Sequence, residues 1–203
     1  MIFANNKAYQ SRPSCHGGFT LIELIVTISI FVFMTALVLS RYNDYYSGTI
    51  FKNLAYDIAI TIREAQSYGI SVKVRADEGI FDKAYGAYFP GPTEPQKFAL
   101  TSYNIQNGVA NFTVAVSERD LILKHGAVFS QLLVSSNNDV YTAANELAII
   151  FQRPNPEAII CAKVNGGAQD CTGYKFAKIV LQAVNGSTIT VKVNTTGQIS
   201  IEN

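Results

Sequence analysis

Residues 19–39 form an apolar run, 21 positions long, with a single charge, Glu23, near its front. As a helix rising about 1.5 Å per residue the run would extend roughly 32 Å, close to the hydrocarbon thickness of a bilayer. A core helix of a soluble protein would carry a polar face, and this run has none; its Thr and Ser hydroxyls can bond to their own backbone. The run is longer than the roughly 7–15 residues of a secretory signal core, and no good small-x-small cleavage site follows it. From Ile50 the pattern changes with no intervening proline. Ile50, Phe51, Leu54, Ala55, Ile58, Ala59, Ile62 and Ala65 recur three or four apart, while Lys52, Asn53, Asp57, Arg63 and Glu64 take the other positions. One stripe with this period predicts an amphipathic helix. The simplest reading is one long helix over residues 19–68, hydrophobic all round at first and amphipathic afterwards, with Gly69 as its stop. Gly48 lies inside and weakens the helix by about 1 kcal/mol relative to alanine, which marks a place for a bend or a melted turn.

Beyond Gly69 the period becomes two. Ile70, Val72 and Val74 alternate with Ser71, Lys73 and Arg75, and residues 85–89 form an aromatic strand ended by Pro90-Gly91-Pro92. Further strands are predicted at 121–123, 127–134, 146–151 and 157–162. The tail has the clearest pattern: alternating segments at 175–184, 187–193 and 198–201, separated by Asn185-Gly186 and Thr196-Gly197. Asn-Gly between alternating segments is a strong hairpin signal. Residues 91–118 show no clear period and are expected to form a long surface connection. The fold class that follows is α+β. A long N-terminal helix, membrane-spanning in its first half and amphipathic in its second, packs its apolar stripe on a C-terminal antiparallel β-sheet domain.

Composition sets the frame. At 203 residues the chain has room for a membrane helix and one domain of about 130 residues. Hydrophobic residues make up 48% and charged residues 15%, which excludes a disordered, highly solvated chain. The segment before the apolar run carries Lys7 and Arg12 and no acid, and Arg41 and Lys52 follow the run, a modest bias toward a cytoplasmic N-terminus. If residues 1–18 are removed, the 16 basic residues fall to 14 against 15 acids. A near-neutral chain has no general electrostatic reason to bind nucleic acid.

The most specific signal is Gly18-Phe19-Thr20-Leu21-Ile22-Glu23 at the head of the apolar run. A glycine lets an extended backbone enter a protease cleft without a side chain in the way. A carboxylate in a membrane helix costs up to about 2.5–3.5 kcal/mol at the centre and less near an end, so Glu23 calls for a partner. These residues and the unbroken apolar stretch resemble the prepilin signature of type IV pilins and type II secretion pseudopilins. The resemblance implies cleavage between Gly18 and Phe19 by a membrane-embedded prepilin peptidase, methylation of the new Phe19 amine, and an assembly role for Glu23. Pairing of Glu23 with the terminal amine of a neighbouring Phe19 would offset its burial and set the axial stagger between subunits. Such pilins often carry a glycine and a proline along the helix where this chain has Val32 and Ser40. The plan is similar to the FimT/GspH group of minor pilins and pseudopilins, which implies a pilin fold with a β-rich head. The implied organisation is a leader at 1–18, a transmembrane and assembly helix at 19–40, its amphipathic continuation at 41–69, and a head at 70–203. The implied partners are the prepilin peptidase, other pilin or pseudopilin subunits, the membrane platform of the assembly machine, and lipid before assembly. The implied location is the cytoplasmic (inner) membrane in a single pass with the head outside, then a cell-surface or periplasmic filament.

Cys161 and Cys171 flank Asn165-Gly166-Gly167, and on the outer face of a membrane they are expected to pair; two free thiols or a metal pair are the alternatives. Cys15 falls in the leader. No metal set is expected, since the histidines are His16, in the leader, and an isolated His125. No catalytic set and no cofactor motif emerge, so the chain does not read as an enzyme. Two other readings are a membrane-anchored binding module that never polymerises, and a competence pseudopilin that takes up DNA. The second would need a basic strip from Lys73, Arg75, Lys175 and Lys178, and exposed strand charge accounts for these residues as well.

Overall fold

A computed structural model describes residues 18–71, 83–106, 109–137 and 139–202, without the side chains of 41–47, 106 and 109–114. Residues 72–75 of the strand predicted at 70–75 and most of the leader lie outside the described residues; Ile70 itself is the last residue of the helix and not the start of a strand. The chain divides into two compact units, residues 1–46 and 47–203.

One helix, α1, runs over Leu21–Ile70, close to the predicted 19–68, and passes through Gly48. In the second unit its predicted stripe is buried: Phe51, Leu54, Ala55, Ile58, Ile62 and Ala65 all belong to the main core. The helix ends one residue beyond Gly69, and this glycine also lies close against a strand. A Cβ there would lie 2.5 Å from the carbonyl oxygen of Phe151. The absent side chain therefore lets the helix sit against the sheet backbone.

The strands are β1 (Lys83–Phe89), β2 (Lys97–Gln106), β3 (Val109–Ile122), β4 (Val128–Ser135), β5 (Thr142–Ala144), β6 (Glu146–Gln152), β7 (Asn155–Lys163), β8 (Gln169–Asp170), β9 (Phe176–Gln182), β10 (Thr188–Asn194) and β11 (Ile199–Glu202). They form two antiparallel sheets rather than one. The first has the order β3-β2-β1-β6-β7-β8 and the second β11-β10-β9-β4-β5. Phe89 and Phe98 of the first sheet meet Phe129 of the second with ring centroids 5.5–5.9 Å apart, and this aromatic cluster joins the two sheets in one core. The fold is α+β, as the patterning predicts.

The first sheet is covered on both faces near its centre. Leu147, Ile149 and Phe151 of β6 belong to the main core, whereas Ala148 and Ile150 join a second cluster with Ala84, Tyr103 and Cys161. A strand buried on both faces reads as a continuous apolar run, which explains the pattern of β6.

The expectation of a surface connection at 91–118 is overturned. After a short 3₁₀ turn at Gly91–Thr93, β2 and β3 form a long hairpin in the first sheet. Register shifts between Leu100/Thr101 and Tyr103/Asn104 interrupt the alternation, and Thr101 and Ser102 are buried although polar. A bulge moves the following side chains to the opposite face, so a period of two cannot be read across it.

The tail hairpins follow the predicted boundaries to within two residues. At the first turn Gly186 has φ +86°, and Asn185 Oδ1 accepts a hydrogen bond from Ser187 N at 3.1 Å. The second turn touches the helix: Gln66 Nε2 donates to Pro156 O at 3.3 Å beside Gly197. On the other side Glu64 of α1 pairs with Arg119 of β3, and the Tyr68 hydroxyl donates to Glu64 Oε1 at 2.8 Å.

Cys161 and Cys171 are bonded, as expected. The bridge ties the segment after β7 back to the second cluster, where β8 contributes only two residues.

Two measurements check this architecture. Gly69→Ala should destabilise the head by about 1–3 kcal/mol because the added carbon meets backbone, although alanine is the better helix former. Gly48→Ala, with open space around it, should instead stabilise the helix by about 0.5–1 kcal/mol. Opposite signs in denaturant titrations of the full chain in detergent are the expected result, and equal signs would contradict the close approach at Phe151. Cys171→Ser opens the loop closed by the disulfide across a sequence separation of 10 and should cost about 2–3 kcal/mol by the same titration followed through tyrosine fluorescence.

Candidate processing and assembly site

Gly18, Phe19 and Thr20 precede the first helical residue and are exposed, Phe19 to 82%. A Cβ built at Gly18 meets nothing within 4 Å. The backbone here is therefore outside any helix or strand and unobstructed at Gly18.

The helix then starts abruptly. Thr20 O accepts from Leu24 N at 3.1 Å, and Thr20 Oγ1 accepts from Glu23 N at 3.3 Å. Thr20 is therefore the N-cap and Glu23 the third residue of the helix. Thr-x-x-Glu before an apolar run is a capping-box pattern, and it was legible in the sequence. Sequence reasoning passed over Thr20 because the cleavage motif accounted for the same six residues.

Behind this cap, Leu21–Ser40 has the length and composition of a membrane span, with a mean hydropathy of 2.5 and no part buried inside the molecule. The hydroxyls of Thr27, Ser29 and Thr35 are satisfied within the helix. Thr27 Oγ1 donates to Leu24 O at 2.9 Å, Ser29 Oγ to Ile25 O, and Thr35 Oγ1 to Phe31 O and Val32 O, both at 2.9 Å. Internal satisfaction of polar groups is what a segment surrounded by lipid needs. Glu23 is the acid in its first turn. A carboxylate is favoured at that end of the helix dipole.

The head brings together different groups. The Tyr88 hydroxyl donates to Glu146 Oε2 at 2.8 Å, and Lys163 Nζ donates to Glu146 Oε1 at 3.1 Å. Burial, then the bonded carboxylate, pushes the Tyr88 hydroxyl well above the usual phenol range. These three side chains close a network across β1, β6 and β7. Lys178 lies over the Tyr141 ring at 4.4 Å and 3.8 Å from Glu202, which also faces Lys192. Lys178 is thus engaged by an acid and an aromatic ring; Lys73 and Arg75 lie outside the described residues. His125 sits at positive φ in the turn between β3 and β4. Among the described residues no three His, Cys, Asp or Glu side chains come together as a metal site.

Neither the curated proteins nor the solved structures give a match to the chain. A family model does: residues 13–39 match the prokaryotic N-terminal methylation motif, a segment that spans Gly18, Phe19, Thr20, Glu23 and the apolar half of α1. The chain carries the amino-terminal motif of the type IV pilin and pseudopilin family, the motif of a prepilin-peptidase substrate.

Proposed function

We propose that this protein is a pilin-like subunit that is cut between Gly18 and Phe19, methylated on Phe19, and assembled into a filament through the first half of α1. The observation that carries the reading is a membrane-length helix with no cover from its own molecule and one acid, placed directly behind the methylation motif. Before assembly the helix anchors the chain in the cytoplasmic membrane with the head outside. In the filament, neighbouring helices replace lipid around it. Glu23 supplies the register: its carboxylate pairs with the freed Phe19 amine of a neighbour, so that two charges leave water together and satisfy each other.

The work of such a subunit is mechanical. Its partners are the prepilin peptidase, other pilin or pseudopilin subunits and the membrane platform that drives assembly, in a type IV pilus or a type II secretion pseudopilus. The Cys161–Cys171 bridge suits a head that resides outside the reducing cytoplasm.

Intact-mass measurement with and without the prepilin peptidase tests the reading. The expected mature chain starts at Phe19 and is heavier than its sequence by one methyl group; a retained leader would overturn the proposal. Glu23→Ala should be processed and inserted normally yet recovered in filaments at a small fraction of the wild-type level. Full incorporation of that variant would remove the pairing role.

A further inference from the structure

Asn165 and Gly166 occupy the central positions of the turn between β7 and β8. Both have positive φ, 52° and 70°, and Gly167 N donates to Val164 O at 3.0 Å across the turn. Asn-Gly is the pair that such a hairpin turn favours. The same pair is chemically vulnerable. A glycine amide nitrogen has no side chain beside it to hinder attack on the preceding asparagine's side-chain carbonyl. In that reaction a bond forms between Gly166 N and Asn165 Cγ. The amide proton passes through solvent to the departing side-chain nitrogen, which leaves as ammonia. Water then opens the cyclic imide at either carbonyl, giving aspartate or its β-linked isomer. No electrons are exchanged with another molecule, and water is the co-reactant.

Among the described residues there are two Asn-Gly pairs, and they are restrained differently. At Asn185-Gly186 both reacting groups are tied locally: Gly186 N donates to Ala183 O at 2.9 Å, and Asn185 Oδ1 accepts from Ser187 N at 3.1 Å. At Asn165-Gly166 the restraint comes from a distant residue. Gly166 N donates to the side-chain Oδ1 of Asn145, 21 positions from it, at 3.2 Å, and this bond is exposed. Asn145 is the single residue between β5 and β6. It is fixed through its backbone: its N donates to Lys163 O at 2.7 Å, and its carbonyl oxygen closes against Gly91. The side chain is thus carried to the turn by a backbone that does not depend on it.

We infer that Asn165 is a site of spontaneous deamidation in the head and that the Asn145 side chain sets its rate. While Gly166 N–H is bonded to Asn145 Oδ1, its nitrogen can neither shed the proton nor swing toward Asn165 Cγ. Attack waits for that bond to open. A single exposed bond restrains this pair and two local bonds restrain Asn185-Gly186, so Asn165 is the faster of the two. The product carries a new negative charge. Its β-linked form also adds a backbone carbon inside the loop closed by Cys161 and Cys171.

The test holds the full-length protein in detergent, with its disulfide intact, in mildly alkaline buffer. Conversion at Asn165 and Asn185 is followed by peptide mass mapping, and the denatured chain gives the unrestrained rates. In the wild-type protein both should convert more slowly than in the denatured chain, with Asn165 ahead of Asn185. Asn145→Ala removes the acceptor and should speed Asn165 about fivefold while leaving Asn185 unchanged. Asn145→Asp keeps an acceptor oxygen in place and should stay slow. An Asn165 rate that is the same in wild type and Asn145→Ala, or fast in Asn145→Asp, would overturn the inference. Equal acceleration of Asn165 and Asn185 in Asn145→Ala would trace the slowing to the fold as a whole and overturn it too. So would wild-type conversion at Asn185 that matches or exceeds that at Asn165. None of these readouts depends on processing or assembly.

Discussion

Fifteen large apolar side chains between Phe19 and Leu39 have no cover from their own molecule. Fully burying one such side chain is worth about 1.5–3 kcal/mol, so their exposure to water would cost on the order of tens of kcal/mol. The net stability of a whole domain is about 5–15 kcal/mol. Such a segment is costly to leave in water, and Leu21–Ser40 has the length and composition to cross a membrane. The hydroxyls of Thr27, Ser29 and Thr35 turn back onto their own helix, and the single carboxylate lies at the end where the helix dipole favours it.

The same helix has a different task in the second unit. There it uses alanines at 55 and 65 and isoleucines at 58 and 62 to lie close to two sheets. Gly69 takes this furthest, bringing helix backbone against the carbonyl of Phe151. Contacts from Glu64, Gln66 and Tyr68 to Arg119, Pro156 and Tyr85 tie the end of the helix to three separate parts of the head. Exposed ion pairs of this kind contribute little each, and the buried stripe supplies most of the attachment.

Cys161 is one of five buried residues of the second core, with Ala84, Tyr103, Ala148 and Ile150. With Ala148 and Ile150 it places apolar groups on the face of the first sheet turned away from the helix, and its bond to Cys171 holds the following segment beside them. A small sheet domain gains from such a staple because β8 alone pairs through only two residues.

Local patterning by itself determined the long helix, its change from all-round to one-sided hydrophobicity at Ile50 and the tail hairpins around Asn185-Gly186, and residue identities at fixed spacing marked the motif from Gly18 to Glu23. Each is a local signal, carried by residues within a turn or a strand of one another. Tertiary structure alone decided what depends on distant residues. The β2–β3 hairpin was hidden because its bulges break the alternation and because Thr101 and Ser102 are buried by strands that the sequence does not place beside them. The division into two sheets follows from which strands pair, and Phe89, Phe98 and Phe129, from three different strands, then pack the sheets together. Gly69 reads as a helix stop along the chain and becomes a contact only when β6, about eighty residues later, is laid against it. Short-range patterns report the conformation of the backbone; which faces are covered is settled by packing, and packing is not local.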